Sequence, residues 1–405
     1  MSPALPPRKP SDPLAVAAAP LAPPGGRSRA ALGLAAAAAR GRFALQVCAE
    51  CGAAQYPPRD VCHVCLGPGL TWRDVADGGM VLAATTTRIS ADPYFRQHMP
   101  WRSGTVQLDC GPSAVVHLHR DVVAGDRVRM RLHLDKSGQG VMLALPAQDT
   151  PNMEADPLLR QMTCDPRGRR VLVTDGRTAF GRAMAQAMLD AGAATVFSGI
   201  AEAWRPGLAP PEDVVDLDLT DTAGVQRFAA EFGGRIDIVI DTALHIRPGG
   251  LLERGDIVRA RAEMELAFFG PLRLAQALGP ALRGRAGDGT HAACAWVNII
   301  SIAALAPMPG YVTNAAAQAA ALSLSTGLRT ELRPLKVVTA LVGPLDDAWH
   351  QAVPPPKVSP AQLAAAVLRA LKGGLEEIVV GDIAQDVMNR WTDNPATLAR
   401  DLASG

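Results

Sequence analysis

Two cysteine pairs, Cys48-Ala-Glu-Cys51 and Cys62-His-Val-Cys65, stand in one short stretch of the chain. A C-x2-C spacing lets a tight turn present both thiolates to one tetrahedral ion, and two such turns supply a complete ligand set. Cys48, Cys51, Cys62 and Cys65 are therefore the expected metal ligands, with zinc as the ion. Four thiolates leave no open position for water or substrate, so the metal is expected to be structural. A redox dithiol, or His63 as a substitute ligand, is the other reading of the same residues. Cys110, Cys164 and Cys294 lack such spacing and read as core or loop residues. Seven cysteines, four of them paired in sequence, argue against a disulfide framework and for a reducing compartment.

The ribbon cannot account for 405 residues, a length that leaves room for two or three domains. Residues 1–27 carry 8 of the 33 prolines with little large apolar content, the composition of a disordered tail. Residues 28–149 begin with an alanine-rich helical run over 29–42 and continue through the cysteines. Five β-rich runs then alternate with Gly, Pro and Asp turns, the texture of a small antiparallel barrel. Residues 150–168 lack periodicity and read as a linker. From 169 to 405 strands alternate with helices, which predicts an α/β domain with a doubly wound parallel sheet.

Lys and Arg number 40 against 39 Asp and Glu, a net charge of +1 that gathers no polyanion by bulk charge. No apolar run reaches the roughly 20 residues of a membrane helix, and the N-terminus shows no secretory signal, so a cytoplasmic protein is expected. Arg88, Tyr94, Phe95, Arg96, Trp101 and Arg102 interleave charge and aromatics. They cluster in one segment rather than across several strands, so a ligand- or partner-facing loop is favoured over a nucleic-acid groove or a plainly packed loop.

The alanine-rich helix, the run CAECGAAQYPPRDVCHVC, Trp72 and the five strands resemble the acyl-CoA-associated family that joins a rubredoxin-like zinc ribbon to an OB-fold β-barrel. The resemblance covers about 29–146. It implies a domain that is usually no enzyme itself and that partners thiolase- or aldolase-like enzymes on CoA thioesters.

The second half resembles the short-chain dehydrogenase/reductase family through VLVTDGRTAFGRAMAQAML, DLDLTD, IDIVIDTAL, VNIISIAALAPMPG and NAAAQAAALSLSTGLRTEL. That resemblance implies a Rossmann-like fold and a relay in which a Tyr protonates the carbonyl oxygen, a Lys four residues on activates it and a Ser holds the oxygen. Ser301 matches the Ser, but Asn314 stands at the Tyr position and Gln318 at the Lys position. Asn has no proton to give near neutral pH, and Gln carries no charge. Ala267 replaces the family's Asn on the active-site helix, and Tyr311 lies too close to Ser301 to match the family spacing. In the glycine loop the three expected glycines become Asp175, Ala179 and Gly181, with Gly176 displaced by one. Gly176, Gly181 and Asp218 are the remaining candidates for an NAD(P) contact.

The reading that joins both halves is a non-catalytic subunit of a complex that processes β-keto or β-hydroxy acyl-CoA. Its first half would dock on a thiolase- or aldolase-like enzyme with acyl-CoA at the joint interface. Its second half would be a pseudo-dehydrogenase pairing as a homodimer or heterodimer. The alternative is an NAD(P)-dependent oxidoreductase with a rearranged site.

Overall fold

The computed structural model describes residues 20–26, 28–151, 153–201, 214–249, 251–252, 257–287 and 292–404. The expected tail, 1–27, lies outside them apart from 20–26.

The alanine-rich run folds as a 3-10 turn (Arg29–Ala31) and helix α1 (Leu32–Ala39). Strands β1 (Ala44–Cys48), β2 (Ala54–Gln55) and β3 (Leu70–Asp74) form an antiparallel sheet with β1 in the middle. Five further strands close a barrel: β4 (Gly78–Thr87), β5 (Trp101–Leu108), β6 (Ser113–Leu118), β7 (Arg127–Leu134) and β8 (Gly140–Pro146). They run in the order β4-β5-β6-β8-β7, with β6 and β8 parallel and the other pairs antiparallel, which is the OB-fold arrangement. Alternation places Val106, Leu108, Val116, Leu118, Met130 and Leu132 inside. Helix α1 lies directly on β8, where a Cβ at Gly140 would meet the Leu34 carbonyl carbon at 2.8 Å, and Leu34 and Ala38 complete the barrel core. A short helix, α2 (Pro93–Gln97), links β4 to β5; Asp92 caps it by accepting the Tyr94 and Phe95 N–H groups.

The segment read as a linker is built and docked. Asp156 caps helix α3 (Pro157–Met162) through the Leu159 N–H, and its other oxygen accepts the Arg120 N–H of the barrel at 2.8 Å. Asp-Pro at an N-cap and first helical position is a helix-start signal.

Seven parallel strands then form one sheet: β9 (Arg170–Val173), β10 (Thr195–Ile200), β11 (Val214–Asp216), β12 (Ile238–Asp241), β13 (Ala295–Ser301), β14 (Lys336–Val342) and β15 (Glu377–Val380). Their order is β11-β10-β9-β12-β13-β14-β15, which reverses direction between β9 and β12 and makes a ligand crevice at the carboxyl ends there. Helices α4 (Ala179–Asp190) and α9 (Pro360–Gly373) cover one face through Met184, Met188, Leu363 and Val367. On the other face pack α5 (Thr222–Phe232), α7 (Gly270–Gly284) and α8 (Val312–Glu331). Helix α6 (Val258–Met264) reaches α7 through a π-helical stretch, Glu265–Phe269, and α10 (Asp382–Asp393) and α11 (Pro395–Ser404) end the described chain. Asp237, fully buried, receives Arg170 at 2.8 Å and Arg285 at 2.8 Å, tying β9 to the end of α7 ahead of β12. Burial alone would raise its carboxyl; the two guanidiniums and the Arg170 N–H outweigh that and hold it below the ordinary value.

The two halves meet through specific contacts. The Glu376 N–H donates to the Ala39 carbonyl at 2.9 Å, Arg40 pairs with Glu377 at 3.0 Å, and Lys336 Nζ donates to the Leu134 carbonyl of β7 at 2.8 Å.

Candidate functional site

The four cysteines converge from two turns. Cys48 ends β1, and Gly52, at φ 74°, donates its N–H back to the Cys48 carbonyl at 3.0 Å. The second turn repeats the pattern with Leu66, at φ 58°, donating to the Cys62 carbonyl at 3.1 Å. All four Sγ atoms lie within 4.8 Å of one another, with Cys48–Cys65 and Cys51–Cys62 each at 3.6 Å. Zinc–thiolate bonds of about 2.3 Å give tetrahedral edges of about 3.8 Å, so the set fits one Zn2+. His63 is not part of it: its N–H and Nδ1 both face Gln55 Oε1. The sequence reading missed the clamp behind the turns. Buried Gln46 exchanges two hydrogen bonds with the Arg59 backbone, at 2.8 and 2.9 Å, and Gln55 donates to Gln46 at 3.1 Å. The only signal is two Gln side chains on strands with otherwise apolar burial.

The aromatic segment of the barrel is consumed internally. Tyr94 is buried with its hydroxyl on Gln161, Trp101 donates to His117 Nδ1 at 3.0 Å, and the Arg102 guanidinium serves the His119, Arg120 and Val122 carbonyls. It is a packed loop, with Arg88 and Arg96 left on the outside.

In the sheet crevice the glycine loop joins β9 to α4. A Cβ at Gly181 would stand 1.8 Å from the Asp175 carbonyl oxygen, so the loop and helix approach too closely for any side chain there. Asp175 occupies the first position. Its carboxylate takes the Arg177 backbone N–H at 2.9 Å and the Arg177 guanidinium at 3.0 and 3.1 Å. The carboxylate that replaces the first glycine is thus paired with a cation two residues on. The Thr178 hydroxyl accepts the Gly181 N–H at 2.9 Å, taking one of the donors a pyrophosphate would use. Gly176 packs on Ser198, and Asp218 accepts both the N–H and hydroxyl of Thr220 at 2.8 Å.

The positions of the proton relay hold other bonds. Gln318 Oε1 accepts the Ser301 N–H at 2.8 Å, and Ser301 Oγ accepts the Ala303 N–H at 3.2 Å. Asn314 Nδ2 donates to the His245 carbonyl at 3.3 Å. Tyr311 donates to the Trp349 carbonyl at 2.9 Å and stacks on His350, and burial with the charge of Asp347 pushes its phenol upward. A relay Tyr needs the opposite shift, from a neighbouring ammonium. The space between Ala267, Asn298 and Gln318 amounts to about 20 Å³, room for one water.

Asp241 carries the largest perturbation near the crevice. Burial pushes its carboxyl up to about 6, with Asp175 adding to the effect and the Thr174 hydroxyl at 2.7 Å opposing it. Since the folded chain binds this proton more tightly than the unfolded one, stability falls as pH rises from about 4 to 6 and the cost is fully present at pH 7. Asp241→Asn is expected to stabilise the protein at pH 7 by about 3 kcal/mol and to leave it nearly unchanged near pH 4. Thermal melts at the two pH values check this; equal shifts at both would sink the assignment.

Three family profiles match in succession. They are a ChsH2 rubredoxin-like zinc ribbon domain over 35–71, a ChsH2 C-terminal OB-fold domain over 72–133, and a short chain dehydrogenase over 169–346. Among solved structures, a short chain dehydrogenase from Burkholderia cenocepacia J2315 in complex with NADP is 31% identical, with a TM-score of 0.53. That match covers 59% of this chain and 99% of that one. A short-chain dehydrogenase from Streptomyces avermitilis is 27% identical over 58% of this chain and 97% of that one, at a TM-score of 0.47. The 3-ketodihydrosphingosine reductase of Dictyostelium discoideum is 29% identical over 139 residues, 33% of this chain and 40% of that protein, so the chain spans two fifths of that curated relative. Among the described residues no helix is long and apolar enough to cross a membrane.

Proposed function

We propose that this chain, which belongs to the short-chain dehydrogenase family and carries a ChsH2-type zinc ribbon and OB-fold ahead of that domain, is a non-catalytic subunit of a cytoplasmic complex that processes CoA thioesters. The observation that carries the reading is the fate of the relay: Asn314 and Gln318 replace the proton donor and its activator, and both are spent on backbone contacts. A fold kept intact around such a crevice retains its surfaces rather than its reaction. One structural zinc, held by Cys48, Cys51, Cys62 and Cys65, stiffens the first half, and four thiolates leave that ion no open position for chemistry. The partner is a thiolase- or aldolase-like enzyme acting on β-keto or β-hydroxy acyl-CoA. The dehydrogenase-like half joins the assembly through α7 and α8, with itself or with an active homologue.

With Tyr94, Trp101 and Arg102 turned inward, the partner face of the barrel is assigned to the outer side of β4 to β6, where Leu82, Ile89 and Val115 are exposed. Co-expression with a candidate thiolase- or aldolase-like partner should give one co-eluting complex. Val115→Asp, on an exposed strand position, should weaken that complex at least tenfold, about 1.4 kcal/mol, while leaving the melting temperature in place. A thiolase that elutes alone and is equally active without this chain would remove the proposal.

A further inference from the structure

Away from the ribbon and the nucleotide loop, the seam between barrel and sheet gathers cations. Lys136 comes from the β7–β8 turn, Arg160 from α3, Arg169 from the residue before β9 and Lys336 from the start of β14. These segments meet around one narrow space also lined by Cys164 and Cys294, and among the described residues its lining holds no carboxylate. Arg169 is only 2% exposed; one Nη donates to the Ala292 carbonyl at 2.8 Å, but its Nε has no hydrogen-bond partner. A guanidinium stays charged at any working pH, and a buried donor without an acceptor costs about 1–3 kcal/mol. Burial pushes the Lys136 ammonium down to about 8, and the charges of Arg169 and Lys336 push the same way.

The inner space holds about 20 Å³, enough for a single water. Past Arg160, Thr163 and Arg169, which line both, lies a groove of about 480 Å³. The carboxylates of that groove are engaged: Glu154 with Arg167 and Lys372, Asp149 with Arg129 at 3.0 Å, and Asp165 with the Arg167 N–H at 3.1 Å. Arg160 and Arg169 stand at its inner end without a carboxylate bonded to either among the described residues.

We propose that this inner end binds a phosphate-sized oxyanion, free or as the terminal group of a phosphorylated ligand, with Arg160 and Arg169 as direct partners and Lys136 and Lys336 supplying charge behind them. Two guanidiniums present paired donors that match phosphate oxygens. The competing occupant is internal, since Cys164, whose thiol is lowered by a hydrogen bond with the Cys294 thiol and, against the effect of burial, by Lys336 and Arg169, could neutralise the cluster as a thiolate.

The test uses the full-length, zinc-loaded chain. Inorganic phosphate should raise its melting temperature saturably above sodium chloride at matched ionic strength. Titration calorimetry should show at least tenfold weaker binding in Arg160→Gln, a half-exposed position, and in Arg169→Gln. Glycerol phosphate is the second probe; tighter binding than inorganic phosphate assigns the groove to phosphorylated ligands, and equal binding assigns it to free phosphate. Phosphate acting no better than chloride, or equally in wild type and both variants, overturns the proposal. So does a thiolate absorbance at neutral pH that Cys164→Ser abolishes in a protein that binds no phosphate.

Discussion

Cys62→Ser, or extraction of the metal with a strong chelator, is expected to unfold the ribbon and loosen the barrel while the parallel sheet stays folded. The ribbon has little else to hold it: β2 is two residues long, and Cys51 and Cys65 are exposed, so burial of apolar area contributes little there. Structural zinc is worth an apparent ~10–16 kcal/mol in finger peptides, far more than this short sheet can replace. Loss should spread along β1. Gln46, on that strand, clamps the Arg59 backbone, while Ala44 and Leu45 belong to the core shared with α1 and the barrel. Metal analysis should return one zinc per chain. Limited proteolysis of Cys62→Ser should cut first between the two cysteine pairs, and the melt should separate into an early and a late transition. A wild-type protein that carries no zinc yet keeps one unchanged transition would remove the claim.

Elements whose signal is periodic or stoichiometric were legible in the residues. The four thiols have the spacing of a metal-ligand set, the five barrel runs alternate with turn residues, and the strands of the second half are apolar runs separated by helical segments. What the sequence hid is which partner a polar side chain takes. Arg177 on Asp175, Gln318 on the Ser301 N–H and Arg102 on three carbonyls are choices made by tertiary geometry, and no local pattern encodes them. The docked helix over 157–162 is a different case, since Asp156-Pro157 is a start signal that a Pro-rich surrounding masked. The π-helical stretch before α7 has no sequence signature, yet it sets where Ala267 points into the crevice. The seam cations come from four segments far apart in sequence, and only Arg169 stands in a locally basic run.

If the dehydrogenase-like half is the pseudoenzyme proposed above, nucleotide affinity and proton transfer are separable losses and should be recoverable separately. The isolated chain is expected to oxidise no NADPH and reduce no NAD with 3-ketoacyl- or 3-hydroxyacyl-CoA, and Ser301→Ala or Tyr311→Phe should change nothing. A positioned general acid contributes about 10²–10⁴-fold to such a reaction, and here Asn314 holds its place with Gln318 folded onto the Ser301 backbone. Nucleotide binding would turn on other residues. A bare carboxylate a few Å from a phosphate costs about 4 kcal/mol at an effective dielectric near 20, but the Arg177 fork at 3.0 Å cancels much of the Asp175 charge. Removing the carboxylate also releases Arg177 as a cation at the mouth of the loop. Asp175→Gly should therefore tighten NADPH binding about ten- to a hundredfold, roughly 1.4–2.7 kcal/mol, read by nicotinamide fluorescence, with turnover still absent. Addition of Asn314→Tyr and Gln318→Lys to that variant is the step expected to bring measurable hydride transfer, because only then are cofactor, acid and activating ammonium present together. Turnover by the wild-type chain that Tyr311→Phe abolishes would show instead a working site built around that phenol.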